Sequence, residues 1–321
     1  MENLVMEQKS FTENLLAYLR KRLKKEVRVD FHNVIKTNDV LYHSIVLVDE
    51  TDERKCYPNF YIEELFQKYK AGKSVEEIGD EMIELNDMKG LPRTFTAEML
   101  TENIGNYQLL MQKKKLFVKL LNKERNSKFL EGKAYLDYLD LAIVFYCLVG
   151  KDDDQMASVA IPKELANQWE ITLEEALDSV LDVMKETLPV KRLILPDLLK
   201  ELCNKDSFSA FMNPPVIGED DIIDIFVFTN TLSINGASVI LYKNLLRDFA
   251  MEQGVEKLYM LPSSIHEYLI VPVKEGESLR PDELKHMVQE VNCTCVSNDE
   301  VMSDNLYIYE LDKDTVSIWE E

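Results

Sequence analysis

The chain has 321 residues, of which 46% are hydrophobic and 30% are charged, and its net charge is -21 at pH 7. This composition supplies enough apolar side chains for a folded core and excludes a generally disordered chain. No apolar run reaches the roughly 18 to 20 residues of a membrane span, and the start MENLVMEQKS lacks the features of a signal peptide. We therefore expect a soluble, cytoplasmic protein.

The excess of acidic residues lies in the second half of the chain. Residues 1–150 contain 23 Lys and Arg against 24 Asp and Glu, a balance of -1, whereas residues 151–321 contain 14 against 34, a balance of -20. Such a surface repels nucleic-acid phosphates, so we expect no direct nucleic-acid binding. The same charge suits a protein partner with a basic surface, and it leaves open that the chain imitates a nucleic acid.

In chain order, the first predicted element is a helix over residues 10–25, where apolar residues recur at helical spacing. Ser10 is its expected N-cap. Two β-branched runs on either side of a Thr-Asn-Asp turn predict a β-hairpin over residues 27–50. His32 and His43 lie on its two arms and have no third ligand, so we interpret them as sheet-surface side chains.

The next elements are two helices over residues 59–72 and 74–85, and a loop over residues 88–93. Ser74 is the expected cap of the second helix, with Glu77 at the spacing of a capping box. The strands predicted in the middle of the chain cover residues 116–121, 139–149 and 156–162, and the last two form a hairpin. A helix over residues 171–188 follows. Thr172 and Glu175 have the spacing of a capping box at its start.

The final third begins with a loop predicted to be flexible over residues 204–221. Strands over residues 222–230 and 237–242 are expected to form a hairpin around Asn235-Gly236. A helix then ends at Gly254. The remaining predicted elements are strands over residues 257–261 and 267–273, a helix over residues 280–291 and a closing hairpin over residues 306–319.

This order of elements predicts an α+β fold in which antiparallel hairpins form mixed sheets covered by helices. We expect an N-terminal lobe of helices and a hairpin over residues 1–130. A larger, acidic α+β lobe is expected over residues 131–321. The five cysteines are odd in number and lack a C-x-x-C spacing, so we expect reduced thiols, no metal and no cofactor.

The candidate binding residues lie in LPSSIHEYLIVPV, residues 261–273, where a polar turn leads into an apolar strand. They are Ser263, Ser264, His266 and Glu267. A serine hydrolase would use one of these serines with His266 as its base, but the G-x-S-x-G elbow is missing. On an extended chain, residues two apart are separated by about 6.5 Å, too far for a direct hydrogen bond. The alternative is a structural turn whose hydroxyls satisfy main-chain groups.

Several segments together resemble an uncharacterised bacterial family, mostly of Firmicutes, known as domain-of-unknown-function family 5688. They are IKTNDVLYHSIVL, YPNFYIEELFQKYKAGKSVEEI, LLNKERNSKFLEG, LDLAIVFYCLV, INGASVILY and LPSSIHE. The resemblance implies a bacterial intracellular protein that folds as one unit. It implies no reaction and no catalytic residues.

We therefore predict a non-enzymatic binding or interaction protein. One alternative is a hydrolase-like enzyme built on the Ser263-Ser264-His266-Glu267 turn, with an acid from elsewhere to orient the histidine. The other is an acidic nucleic-acid mimic of the anti-restriction type, from a mobile element. The sequence supplies no evident buried partner for His266, so its replacement by alanine is expected to change stability by less than about 0.5 kcal/mol.

Overall fold

The structure, a computed structural model, describes residues 2–51, 57–87, 104–151, 156–194, 224–262, 264–274 and 280–320. Within these residues the chain combines helices with three antiparallel sheets, so the α+β prediction is confirmed. The predicted loops over residues 88–93 and 204–221 lie outside the described residues, and so do Cys56, Cys203 and Ser263. No helix in the described part of the chain is long and apolar enough to cross a membrane.

The described chain divides into two compact units. The first contains Met1–Lys36 and Val40–Asn103, and the second contains Thr37–Asp39 and Ile104–Glu321. The division predicted near residue 130 stays a prediction, because compactness does not test whether either part folds by itself.

The first unit consists of helices packed on a small sheet. Its elements are α1 (Glu2–Arg22), β1 (Val27–Ile35), β2 (Leu41–Asp49), β3 (Phe60–Tyr61), α2 (Ile62–Lys70) and α3 (Val75–Asp87). The β1–β2 hairpin is confirmed, with Ile35 paired to Leu41 at its end. Its core contains Phe11, Leu15 and Leu19 of α1, all of which are buried.

Of the two helix caps predicted in this unit, one is present in the structure and the other is not. The capping box before α3 is confirmed, because the Glu77 amide donates to Ser74 Oγ at 3.2 Å and the Ser74 amide donates to Glu77 Oε2 at 2.7 Å. The expected cap at Ser10 is wrong: this residue lies inside α1, which begins eight residues earlier. The residues before Ser10 continue the helix, so its first turn is set further upstream.

The second unit contains the other two sheets. Its helices are α4 (Tyr107–Gln112), α5 (Lys163–Ala166), α6 (Leu173–Thr187), α7 (Leu245–Gln253) and α8 (Pro281–Thr294). Its strands are β4 (Leu116–Asn122), β5 (Tyr135–Tyr138), β6 (Leu141–Lys151), β7 (Met156–Ala160), β8 (Val190–Ile194), β9 (Phe226–Asn230), β10 (Lys257–Leu261), β11 (Tyr268–Pro272), β12 (Tyr307–Glu310) and β13 (Thr315–Ile318).

One sheet has the strand order β13-β12-β10-β11-β9-β8, and in the other β6 pairs with β4, β5 and β7. The hairpins β6–β7 and β12–β13 are as predicted. Strands β5 and β8 were not predicted from the sequence. Helix α6 begins at the predicted capping box of Thr172 and Glu175, and it packs on β4, where the Val118 amide lies 3.3 Å from Met184 Sδ.

The expected hairpin around Asn235-Gly236 is wrong. Residues Gly236–Leu241 form a 3₁₀ helix, and Asn235 before it has left-handed backbone angles (φ 50°, ψ 33°). All residues from Gly236 to Ile240 are buried. A short, buried apolar run has no side-chain period that distinguishes a strand from a helix, so the pattern was compatible with both.

Gly236 is required by a close approach between main chains. A Cβ atom at this position would lie 2.6 Å from the main-chain nitrogen of Asn230 and 2.6 Å from the carbonyl oxygen of His266, and it would overlap Thr229 Oγ1. These atoms belong to β9 and to the turn between β10 and β11. Only a residue without a side chain allows the three segments to meet.

We expect Gly236→Ala to destabilise the protein by about 3 kcal/mol or more, because two main-chain segments must move to accept one methyl group. Gly105→Ala is the matched control. Its Cβ would meet Gln168 Oε1 at 2.6 Å, the end of a flexible side chain that can rotate away. Urea denaturation of both variants measures the difference, and equal losses of stability would contradict the close-approach argument.

Candidate functional site

The polar turn over residues 262–267 connects β10 to β11, which pair directly beside it through Leu261 and Leu269. Two other segments hold its main chain. The Ile265 amide donates to the Glu300 carbonyl at 3.0 Å, and the Ala237 amide donates to the Ile265 carbonyl at 3.2 Å. The turn is therefore fixed from both sides, by the 3₁₀ helix after Asn235 and by the segment between α8 and β12.

The segment between α8 and β12 is anchored by the half-buried carboxylate of Asp140. Asp140 accepts hydrogen bonds from Ser303 Oγ at 2.6 Å, from Asn305 Nδ2 at 3.0 Å and from the Tyr307 hydroxyl. The Ser303 amide donates in turn to the carbonyl of Pro262 at 2.9 Å. One carboxylate at the start of β6 thus fixes the segment that supports the turn.

Ser264 is buried, with 5% of its surface exposed, and its hydroxyl is used within the turn. Its Oγ accepts a hydrogen bond from the main-chain amide of His266 at 3.0 Å. The same hydroxyl is hydrogen-bonded to the Glu267 carboxyl, which favours the ionised form of that carboxyl. Ser264 thus performs the structural role expected of a turn serine.

Both ring nitrogens of His266 have partners. Nδ1 accepts a hydrogen bond from the Asn235 amide at 3.1 Å, and Nε2 lies 3.2 Å from Glu300 Oε1. Because Nδ1 is an acceptor, the neutral ring carries its proton on Nε2 and donates it to the carboxylate. The hydrogen bond and charge of Glu300 raise the pKa of His266 against the opposing effect of burial.

The sequence indicated no partner for His266, whereas the structure supplies two; neither is fully buried, since Asn235 is half-buried and 41% of the Glu300 side chain is exposed. Glu300 and Asn235 are 34 and 31 residues away along the chain, respectively. No local pattern indicates that they meet, because the contact depends on how β10, β11 and the segment after α8 are arranged.

Burial shifts two further ionisable side chains near the turn. Burial raises the pKa of the half-buried Glu267 carboxyl. Lys119, in the centre of β4, is also half-buried, and burial lowers its pKa to about 8. Its Nζ lies 4.2 Å from the ring centroid of Tyr146, and its charge lowers the pKa of His266. Among the described residues no carboxylate pairs with Lys119.

Sequence reasoning missed Lys119, although the signal was present. It is the single charged residue in LFVKLLN, where six neighbours are buried. A lone lysine inside a buried strand has either a charge partner or a lowered pKa, and the second applies here. Perturbed pKa values in one place are typical of functional sites and also occur in structural networks.

The arrangement does not bring Ser264 Oγ to the imidazole of His266. The hydroxyl is bonded to the main-chain amide of the histidine, and both ring nitrogens are occupied by Asn235 and Glu300. A hydrolase needs its nucleophile within hydrogen-bonding reach of the base, about 2.6–3.2 Å. The turn is organised as a hydrogen-bonded scaffold whose outer surface presents the partly exposed imidazole.

The two histidines of the β1–β2 hairpin face opposite sides, because His32 is paired with Ser44 and His43 with Asn33. His43 Nδ1 instead lies 2.7 Å from Glu63 Oε1. No group of three or more metal-binding side chains occurs in the part of the chain that the structure describes. The described cysteines are free: Cys147 is buried, whereas Cys293 and Cys295 are exposed at the end of α8.

The fold and site thus define an α+β protein with a rigid polar turn between two central strands. A family model described as a family of unknown function (DUF5688) matches residues 8–311, so the chain belongs to this family. The resemblance read from LPSSIHE and the other segments is confirmed at this level. No curated protein and no solved structure matches the chain.

We expect His266→Ala to lower stability by about 1–2 kcal/mol, because it leaves the Asn235 amide and the Glu300 carboxylate without their partner. Ile270→Ala, which truncates a fully buried residue of β11, should cost about 2–5 kcal/mol. Thermal unfolding of both variants checks this order. A loss for His266→Ala as large as that for Ile270→Ala would show that the ring is part of the core and not of an outer surface.

We expect Lys119→Met to stabilise the protein at pH 7. The folded state disfavours the Lys119 ammonium, so the penalty is complete below pH 8, declines as the pH rises, and is absent above about pH 10.5. A pKa near 8 corresponds to at most about 3 kcal/mol, which partial exposure and the contact with Tyr146 reduce to about 1–2 kcal/mol.

Unfolding free energies of Lys119→Met and the parent chain at pH 7 and pH 10 measure this effect. Lys128→Met, at an exposed lysine, is the control and should change stability by less than about 0.5 kcal/mol at both values. A Lys119→Met variant that is less stable than the parent at pH 7 would show that the ammonium makes a favourable contact.

Proposed function

We propose that this protein is a non-enzymatic binding protein whose partner presents a basic surface, and that helix α6 carries the recognition surface. The observation behind this proposal is a row of four exposed carboxylates along α6, which we call the acidic column. It consists of Glu174, Asp178, Asp182 and Glu186.

The acidic column follows from the helical period. Its members are four residues apart, so neighbouring carboxylates are separated by about 6 Å along the helix axis and the column is about 18 Å long. The opposite face of α6 is the buried stripe of Ala176, Val180 and Met184. Burial of that stripe orients the column towards solvent.

The column destabilises the helix that carries it. Each like-charged pair at this spacing costs about 0.3 kcal/mol, and Glu186 lies in the last turn, where the helix dipole disfavours a negative charge. One ion pair offsets part of this cost, because Lys114 Nζ lies 2.9 Å from Glu186 Oε2. A basic partner would remove the remaining repulsion, which makes binding favourable at this face.

The geometry of the turn also supports a binding role. The Ser264 hydroxyl and both nitrogens of His266 are engaged within the protein. The predicted contribution of His266 and Glu267 to a recognition surface stays part of the proposal. It requires only their outward edges, since 27% of the His266 side chain is exposed.

A protein partner is favoured over nucleic-acid mimicry by charge density. The column presents one charge per 6 Å or so of its length, whereas a single strand of double-helical DNA presents one per 3.4 Å or so. A basic patch on a protein does not require the higher density. The balance of -20 in residues 151–321 supplies the long-range attraction for such a partner.

We expect the double variant Asp178→Lys/Asp182→Lys to bind a short poly-lysine peptide at least about tenfold more weakly than the parent chain at low salt, because it reverses the centre of the column. The helix should remain intact, since the new lysines form attractive pairs with Glu174 and Glu186. Fluorescence anisotropy measures the affinity, and circular dichroism checks the fold.

The control variant Glu256→Lys/Glu290→Lys makes the same change of net charge at exposed acids outside α6. Its affinity for the poly-lysine peptide should fall by less than about threefold, because salt screens charges that lie far from the binding site. Equal losses of peptide affinity in the two double variants would show a general effect of net charge and would contradict a binding site on α6. Duplex DNA at low salt should not bind, and submicromolar binding of DNA would contradict the proposal.

A further inference from the structure

A groove with a volume of about 790 Å³ adjoins α6 in the second unit. Its apolar lining comes from α6, from β5 and β6 and from the segment before β5: Leu130, Leu136, Ile143, Leu173 and Leu177. Leu136, Leu173 and Leu177 are only half-buried, so the groove offers apolar surface to a ligand. Its volume lies within the roughly 300–1,000 Å³ of ordinary binding pockets.

The rim of the groove is charged but nearly balanced. It carries Glu131, Asp137, Glu174, Lys133 and Lys163. One of these acids, Asp137, is paired with Lys123 at 2.6 Å. The rim by itself therefore attracts a charged ligand only weakly, and recognition inside the groove depends on its apolar surface.

The groove and the acidic column are continuous. Glu174 belongs to both, and Leu177 lies directly before Asp178 on the same helix. A ligand that fills the groove with apolar side chains thus has the carboxylates of α6 beside it. This juxtaposition requires apolar and basic groups on one ligand, arranged side by side.

We infer that the groove and the acidic column together bind a basic amphipathic helix of the partner protein. The inference rests on the proposed function and specifies its partner. Apolar side chains at helical spacing occupy the groove, and lysines or arginines on the adjoining face meet Asp178 and Asp182. Amphipathic helices are commonly recognised in this way, by an apolar groove with charges beside it.

A second copy of this chain does not fit the groove as well. The net charge of -21 opposes self-association. Helix α1 ends in the basic residues Arg20, Lys21 and Arg22, but its apolar residues Leu15 and Leu19 are buried in the core of its own unit. It therefore cannot offer an apolar face to another molecule without unfolding.

The test uses the full-length chain and two model peptides of identical lysine and leucine composition. One peptide has its leucines on one face of a helix, and the other has them distributed around the helix. We expect the amphipathic peptide to bind at least about tenfold more tightly. Leu177→Ser should remove most of this difference, whereas Leu181→Ser, at a half-buried leucine of α6 outside the groove lining, should preserve it.

The outcomes separate the two proposals. If both peptides bind equally and Asp178→Lys/Asp182→Lys weakens both, the acidic column stands and the groove inference is wrong. If neither peptide binds, the proposed function fails and the inference fails with it. Equal effects of Leu177→Ser and Leu181→Ser would also overturn the inference, because the loss would then come from a weakened helix. Sedimentation velocity must show a monomer, and a dimer that excludes the peptide would make a second copy the occupant.

Discussion

The close packing of the main chain at Gly236 against the turn of His266 determines the organisation around the candidate site. The glycine allows β9, the 3₁₀ helix and the β10–β11 connection to meet without an intervening side chain. The Thr229 hydroxyl and the Asn235 amide then reach the carbonyl and ring of His266 at 2.8 and 3.1 Å, respectively. These two hydrogen bonds depend on this approach, because they join His266 to the segments that meet at Gly236.

Burial determines most of the electrostatics around the turn. Removal from water disfavours charge, so the pKa of Glu267 rises while that of Lys119 falls. His266 is the exception, because Glu300 stabilises its protonated form more than burial opposes it. Burial thus makes charge costly in this region, and Lys119 bears that cost at pH 7, where its ammonium is still the main form. The carboxylates of the acidic column on α6, in contrast, are exposed to solvent.

The chain belongs to a family of unknown function, so its chemistry has to be argued from its own groups. A turn whose polar atoms are engaged internally provides rigidity, and an exposed row of like charges provides attraction. In the binding role that we propose, these properties complement each other, because a rigid surface loses little conformational entropy when it binds. The groove beside α6 adds the apolar area that charge alone does not supply.

The sequence by itself determined the elements whose signals are local. The capping boxes of Ser74 with Glu77 and of Thr172 with Glu175 join groups three residues apart, and both form as predicted. Gly254 ends α7 with left-handed angles, as its position indicated. The acidic column was not predicted, although the helical period places its members opposite the apolar stripe of α6.

Only the tertiary structure decided how distant segments meet. It made residues 236–241 a 3₁₀ helix, it brought Asn235 and Glu300 to the ring of His266, and it half-buried Lys119 without a carboxylate partner among the described residues. A pattern of apolar residues gives the period of an element, but it carries no information on which element lies opposite. Burial, pKa shifts and hydrogen-bond partners all depend on the element that packs opposite, so they are properties of the folded chain.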